Sequence, residues 1–375
     1  MSTTSGTTDV KGITVGERST RDLALTAGIL QRWLQARMPE VRDVSVFDLS
    51  WPQGAGTSNE TLLLRARWGE KGAERPHGLV VRFAPQLVQF FKDADLRKQF
   101  DLLKALHDGG HVRVAEPLWF EDDTRLLGLP FFVMRRLEGR VPVSFPPYNR
   151  AGFLFDATPA ERAVLWSSAM EELCRIALSP LPAVENVLGM PDKGSTGFDQ
   201  HVAYWRESRQ WSAADRAPAL LAAEEWFTKH RPRNTPAGLT WGDARMGNMM
   251  FGADFRLTGV MDWEQATMGG PMFDLGWWLM FDELHSATLG LTRLGGLGTR
   301  QETLDFWRER TGLPAYDLSW YEAFAGYTLG VIVSGRYSRS GGERPQHNRN
   351  NNSYTRHMAQ IMGVAMPPDV ILSPA

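Results

Sequence analysis

The stretch Leu239-Thr-Trp-Gly-Asp-Ala-Arg-Met-Gly-Asn-Met-Met-Phe251, followed by Gly259-Val-Met-Asp-Trp-Glu264, carries three polar side chains that could share a metal ion. These are Asp243, Asn248 and Asp262, and each lies beside a short apolar run typical of a strand or a buried turn. They can converge if the chain folds back as a hairpin. The stretch therefore predicts one compact polar centre.

The spacing of Asp243 and Asn248 favours phosphoryl transfer. In that reaction a protein positions a hydroxyl in line with a phosphate and holds metal ions that neutralise the developing charge. Asp243 would accept the hydroxyl proton, and Asn248 and Asp262 would supply the oxygen ligands that Mg²⁺ prefers. An Asp and an Asn at this spacing can also merely cap a turn, so the spacing alone is a weak signal.

Composition limits the classes of protein that the chain can belong to. Its 375 residues indicate two domains or one two-lobed unit, and the 43% hydrophobic content is enough for a sizeable core. A net charge of −2 gives no basic field for nucleic acid. A single cysteine, Cys174, excludes an intramolecular disulfide and fits a reducing cytoplasm.

Targeting and membrane segments are not expected. No run approaches the roughly 18 apolar residues that a membrane span needs. Residues 1–20 are rich in Ser, Thr and Gly and have no apolar segment of the secretory type, so they are predicted to form a disordered arm.

Hydrophobic periodicity predicts an α+β protein with two lobes. Residues 21–137 should form a lobe built on an antiparallel sheet, and residues 138–375 a mainly helical lobe, with a proline-rich hinge at 141–147. In the first lobe, helices are predicted at 21–38 and 92–108, and strands at 44–49, 61–68, 78–83, 117–120 and 126–134. In the second, helices are predicted at 158–178, 198–211, 213–230, 271–284, 299–310 and 318–337, with a last one after 352.

A glycine-rich loop separates the first two predicted strands. Its backbone N–H groups and hydroxyls could lie along phosphate groups, although a plain hairpin turn would use the same residue types. The candidate phosphate-binding residues are Gly54, Gly56, Thr57, Ser58 and Asn59.

Three segments together resemble the aminoglycoside phosphotransferase and choline kinase-like family of small-molecule kinases. They are Trp241–Phe251, Val260–Pro271 and Phe273–Trp277, and the combination is highly specific. The chain looks especially like the branch that includes kinase-like domains fused to acyl-CoA dehydrogenases. The resemblance covers about residues 40–340 and implies a protein-kinase-like bilobal fold, ATP with Mg²⁺ as cofactors, and a small-molecule hydroxyl acceptor.

The resemblance also implies roles for residues around the cleft. It makes Asp243 the catalytic base or hydroxyl-orienting group, and Asn248 and Asp262 the Mg²⁺ ligands. Arg245 would face the transferred phosphate or pair with Asp262. Asp274 would cap a helix or hold the catalytic loop backbone.

Nucleotide contacts are implied on the sheet lobe. Arg82 stands where protein kinases use a lysine, and a guanidinium can grip phosphates with two hydrogen bonds. The backbone of Met134 to Leu137, including Arg136, would bind adenine. Glu264 could support the site from behind these residues or simply face solvent.

Two departures from the family pattern leave a second interpretation open. Trp241 stands where a histidine is common, and it could still pin a nearby carbonyl through its indole N–H. Gln99 is neutral where a glutamate usually pairs with the phosphate-binding cation, so another acid would be needed for that task. The alternative is therefore a nucleotide-binding pseudokinase or regulatory module.

Candidate acceptor-site residues, which could equally be core, are Tyr204, Trp205, Trp277, Asp282 and Glu283. The sequence does not indicate the acceptor or the oligomeric state.

Overall fold

The computed structural model describes residues 21–52, 60–69, 76–85, 91–144, 146–212, 217–339 and 351–364. The predicted arm of residues 1–20 lies outside them. Within the described ranges, no helix is both long and apolar enough to cross a membrane.

The sheet of the first lobe is five-stranded, with every neighbouring pair antiparallel and the order β1-β2-β3-β5-β4. The strands are β1 (Ser45–Ser50), β2 (Thr61–Arg67), β3 (His77–Phe83), β4 (Pro117–Glu121) and β5 (Phe131–Arg135). Leu62, Leu64 and Ala66 alternate with more exposed neighbours, so one face of β2 packs inward. Helix α1 (Leu23–Arg37) covers this face with Leu30 and Leu34. The predicted antiparallel lobe is thereby confirmed.

Helix α2 (Leu96–Gly109) lies close to its predicted position. It begins after Asp95, whose side chain accepts hydrogen bonds from two backbone N–H groups, and it ends at Gly110, which has a left-handed conformation. The prediction of a continuous strand at 126–134 was wrong. Asp123 caps a short helix, α3 (Thr124–Leu127), and left-handed Gly128 ends it before β5 begins.

The second lobe is mainly helical, as predicted. Its helices are α4 (Phe153–Asp156), α5 (Pro159–Ala177), α6 (Leu181–Leu188), α7 (Gly197–Trp211), α8 (Pro218–Lys229), α9 (Pro271–His285), α10 (Arg300–Thr311), α11 (Leu318–Arg339) and α12 (Ser353–Met362). The two short helices α4 and α6 were not predicted because they span too few turns to show a periodicity. The start of the helix predicted at 213–230 falls partly outside the described residues, and α8 begins only at Pro218.

One β-hairpin interrupts these helices and positions the site. Its strands are β6 (Met249–Phe251) and β7 (Leu257–Val260), with Met249 opposite Val260. The segment after α2 reaches across to it, because Val260 N–H donates to the Arg113 carbonyl at 2.7 Å. Arg113 also pairs with Glu172 of α5, whose side chain is fully buried. These contacts tie the first lobe to the hairpin.

The buried apolar side chains of the described residues form two cores, and their positions agree with this arrangement. The larger core joins one face of α2 to the hairpin and the helices of the second lobe, and Cys174 lies inside it as a free, buried thiol. Burial raises the pKa of Cys174 to about 12, so the thiol is neutral and acts as an apolar filler, as predicted.

The entry to α9 depends on a glycine. Gly270 precedes the helix with φ of 110°, and an added Cβ would lie 2.2 Å from the Pro236 carbonyl oxygen. We expect Gly270→Ala to lower the free energy of unfolding by about 2–5 kcal/mol, because a left-handed backbone and a clash both oppose alanine.

Urea denaturation would measure this loss, with Gly312→Ala as the matched control. Gly312 has φ of 67°, but no described residue lies within 4 Å of the added Cβ, so it should show only the smaller backbone cost. Equal losses in the two variants would contradict the clash at Gly270.

Candidate active site

Asp243 is a buried carboxylate held by three donors. Its Oδ1 accepts hydrogen bonds from Trp277 Nε1 at 3.1 Å and Arg245 Nε at 2.9 Å, and its Oδ2 accepts one from Asn248 Nδ2 at 2.6 Å. The residue is only 8% exposed. Hydrogen bonds from a guanidinium and two neutral N–H groups orient such a carboxylate and compensate for its burial.

The predicted convergence of Asp243, Asn248 and Asp262 rests on the hairpin. Met261 N–H donates to the Asn248 carbonyl at 2.9 Å, which places Asp262 beside the turn that carries Asn248. Both hydrogen bonds from the Asn248 side chain use its amide nitrogen, so they leave its amide oxygen for a cation. Asp262 is a third exposed at its side chain and has a left-handed backbone with φ of 61°.

The oxygen donors of Asn248 and Asp262 are of a kind that Mg²⁺ accepts. Among the described residues, no group of three or more His, Cys, Asp or Glu side chains could hold a metal. An amide oxygen and a carboxylate are hard oxygen ligands, and Mg²⁺ keeps several water or phosphate oxygens besides. The pair Asn248 and Asp262 thus has the chemistry of a substrate-completed magnesium site.

Two buried side chains fix the backbone around Asp243. Asp274, at the start of α9 and 2% exposed, accepts hydrogen bonds from the N–H groups of Trp241 and Gly242 at 2.7 and 2.8 Å. Trp241 Nε1 in turn donates to the carbonyls of Met261 and Asp262. Trp241 therefore pins a nearby carbonyl as expected, and Asp274 holds the turn that carries Asp243.

Burial raises the pKa of Asp274 to about 7, against the two backbone donors that favour its ionised form. The native protein then binds this proton more tightly than the unfolded chain, whose aspartates titrate near 3.8. We expect the free energy of unfolding to fall from about pH 4 to about pH 7, by at most about 1.4 kcal/mol per pH unit from this group.

Urea midpoints across this pH range, for the native chain and for Asp274→Asn, would measure the effect. The variant should be less stable overall but should lack this decline with rising pH. Parallel pH profiles for the two proteins would contradict the assignment.

Arg82 of β3 contacts the loop that follows β7 and carries Asp262 and Glu264. Its guanidinium donates to Asp262 Oδ1 at 3.4 Å and pairs with Glu264. The Glu264 side chain is 6% exposed, so the option of a solvent-facing residue was wrong. The sequence indicated only indirectly that Arg82 needs this acid, because Gln99, the residue on α2 where an acid was expected, is neutral.

Arg245 does not pair with Asp262. Its Nε donates to Asp243 and its NH1 donates to Ser144 Oγ at 2.7 Å. Asp243 lies only two positions before Arg245 on the same turn, which brings its carboxylate within reach of the guanidinium. The alternative role of Arg245, facing the transferred phosphate, stays a prediction.

The predicted nucleotide contacts are only partly placed. The glycine loop with Gly54, Gly56, Thr57, Ser58 and Asn59 lies outside the described residues. Met134 is inside β5, opposite Val80 of β3. Arg136 N–H donates to the Gly78 carbonyl, so it is already occupied within the sheet.

The candidate acceptor residues separate into core and surface. Tyr204, Trp205 and Trp277 are buried, Asp282 pairs with Arg293, and Glu283 is exposed. Trp277 was predicted only as a candidate acceptor residue; its hydrogen bond to Asp243 was not predicted, because it joins positions 34 residues apart.

Known proteins share this architecture. A Ralstonia eutropha structure, provisionally described as an aminoglycoside phosphotransferase, has a TM-score of 0.64 at 23% identity, over 88% of this chain and 96% of that one. A thermostable mutant of aminoglycoside phosphotransferase APH(4)-Ia, in a ternary complex with ADP and hygromycin B, has a TM-score of 0.52 at 15% identity, over 89% and 98% of the two chains. At these identities the likeness shows a shared kinase-like fold.

Sequence comparison gives the family. Human acyl-CoA dehydrogenase family member 11 is 26% identical over 295 residues, which are 76% of this chain and 35% of that protein. The chain thus spans about a third of the length of this curated relative. The model of the phosphotransferase enzyme family matches residues 54–310, more than half of the chain and the whole of the site described above. The chain therefore belongs to the phosphotransferase enzyme family.

Proposed function

We propose that this protein transfers the γ-phosphoryl group of ATP, with Mg²⁺, to a hydroxyl of a small molecule. In this proposal residues 21–137 form the nucleotide-binding lobe, and residues 138–375 carry the catalytic turn and the acceptor site. The observation that carries it is the arrangement of Asp243, Asn248 and Asp262 on one turn and hairpin, with Arg82 opposite.

Asp243 would orient the acceptor hydroxyl and take its proton. Three donors fix its carboxylate, and Asp274 fixes the backbone beneath it, so little reorganisation is needed during the reaction. A carboxylate in a set position contributes both general-base catalysis and orientation.

Asn248 and Asp262 would hold the metal, and Mg²⁺ bound there would neutralise charge on the phosphates.

A separate observation supports a phosphate group as a partner of Arg82. Its Nε is buried and has no hydrogen-bond partner among the residues that the structure describes, whereas its other end is held by carboxylates. A phosphate oxygen would satisfy that N–H.

The acceptor is a small hydroxyl compound in this proposal. The ternary complex of APH(4)-Ia with ADP and hygromycin B supports this class of reaction for the fold. The dehydrogenase named for the human relative is not part of the proposal, because the chain matches only about a third of that protein.

The test is ADP formation by the purified chain with Mg-ATP and one hydroxyl compound at a time. The panel would hold hygromycin B, choline, sugars, amino alcohols and hydroxylated carboxylic acids, with the phosphorylated product identified by mass spectrometry. We expect one class to raise ADP formation well above the rate without acceptor. Bound ATP with no acceptor-dependent ADP across the panel would instead favour the regulatory module.

A further inference from the structure

We propose that Glu264 is the positioning residue of Arg82, the role that kinases of this fold give to an acid on the helix corresponding to α2. The inference rests on the proposed function, because it assigns Arg82 to the nucleotide phosphates. It adds a residue from the second lobe to the nucleotide site.

The contacts of Arg82 support this assignment. Both described ion-pair partners of Arg82, Asp262 and Glu264, lie on the loop that follows β7. The side chain of Arg82 is 16% exposed, and a guanidinium at that depth needs a carboxylate nearby.

The helix α2 does not offer such an acid at the expected place. Gln99 is 9% exposed and lines a cleft between α2 and the loop after β7. Glu264 lines the same cleft from the opposite element. The charge that Gln99 lacks is therefore supplied across the cleft by Glu264.

The two carboxylates that face Arg82 differ in exposure, and this separates their tasks. The Asp262 side chain is 32% exposed and can reach a cation that arrives with the nucleotide. Glu264 is 6% exposed and is enclosed with the guanidinium. Arg82 would thus keep one anionic partner when Asp262 serves the metal.

This pairing also joins the lobes. Arg82 lies on β3, and Glu264 lies 182 positions later on the loop that carries Asp262. A cation that grips phosphate and a metal ligand are then held to each other directly. We infer that the nucleotide site is assembled by the loop after β7 and does not depend on a charge on α2.

The experiment is a double-mutant cycle of Glu264→Gln, Arg82→Met and the pair, with Glu309→Gln as control, because Glu309 is exposed on α10. ATP binding is measured by isothermal titration calorimetry with Mg²⁺, and KM and kcat where an acceptor is in hand. We expect Glu264→Gln to weaken ATP binding about tenfold or more, with a smaller change in kcat. Adding it to Arg82→Met should cause little further loss, and Glu264→Asp should recover part of the affinity.

Three results would overturn the role of Glu264. They are ATP affinity unchanged in Glu264→Gln, additive losses in the double variant, or an altered Mg²⁺ requirement at unchanged ATP affinity, which would make Glu264 a metal ligand. Failure of the proposed function looks different, because the native chain itself would then either bind no ATP or bind ATP without acceptor-dependent ADP formation. A coupling between Arg82 and Glu264 in urea unfolding should appear in either case, so a merely structural pair is recognised by coupling in stability without coupling in ATP binding.

Discussion

Replacing Asp243 with asparagine is expected to lower kcat for acceptor phosphorylation by about 10²- to 10⁴-fold, the range for loss of a positioned general base. Asparagine keeps the shape of the side chain but cannot take the hydroxyl proton. The amide would also turn its N–H₂ group either toward Trp277 Nε1 and Arg245 Nε or toward Asn248 Nδ2, which are all donors that now meet a carboxylate oxygen. Asp243 makes no described contact with Arg82, so ATP binding should remain within a few-fold.

Steady-state kinetics with an acceptor found by the panel described above, together with calorimetric ATP binding, would measure both effects. Asp122→Asn is the matched control, because Asp122 is exposed on the turn after β4. It should leave kcat and ATP affinity unchanged. Turnover near the native rate in Asp243→Asn would rule out Asp243 as the base.

Replacing Asp262 with asparagine is expected to lower kcat by about 10²-fold or more at saturating ATP and to raise the Mg²⁺ concentration needed for half-maximal rate. A metal contributes several kcal/mol of charge stabilisation to phosphoryl transfer, and each 1.4 kcal/mol is about tenfold in rate. Asparagine removes the negative charge that attracts the cation. Unlike alanine, it tolerates the left-handed backbone of Asp262, so the fold should survive.

A Mg²⁺ titration of the initial rate would check this result. Asp48→Asn supplies the control, because Asp48 also has a left-handed backbone, with φ of 54°, and is exposed on β1. Its Mg²⁺ dependence should match that of the native chain. A native Mg²⁺ profile in Asp262→Asn would remove Asp262 from the metal site.

The sequence was informative where structure follows from short spacings. Asn248 follows Asp243 on one turn, and a short connection returns the chain so that Met249 faces Val260. Strand and helix periodicities gave most elements within a few residues, because each reflects burial on one face of one segment. The short helix α3 was missed, since its Asp123 cap and Gly128 end act over only four helical residues.

Contacts between distant parts of the chain were not predictable in the same way. Trp277 of α9 donates a hydrogen bond to Asp243. Asp274 of the same helix accepts from the N–H groups of Trp241 and Gly242, a contact that the family resemblance implied and no local pattern predicts. No local pattern specifies which face of a helix will meet a turn some 30 residues away. Such contacts depend on how α9 packs within the larger core.

The sequence by itself determined the chemistry available at residues 239–264: a carboxylate, an amide and a second carboxylate on a turn and hairpin, with the family that this pattern marks. Only the tertiary structure decided which partners those groups have. Arg82 and Glu264 meet because the sheet lobe and the loop after β7 face each other, and the buried guanidinium requires an anion that neutral Gln99 cannot supply. Residue types and short spacings are properties of the chain, whereas the pairing of buried charges is a property of the packed lobes.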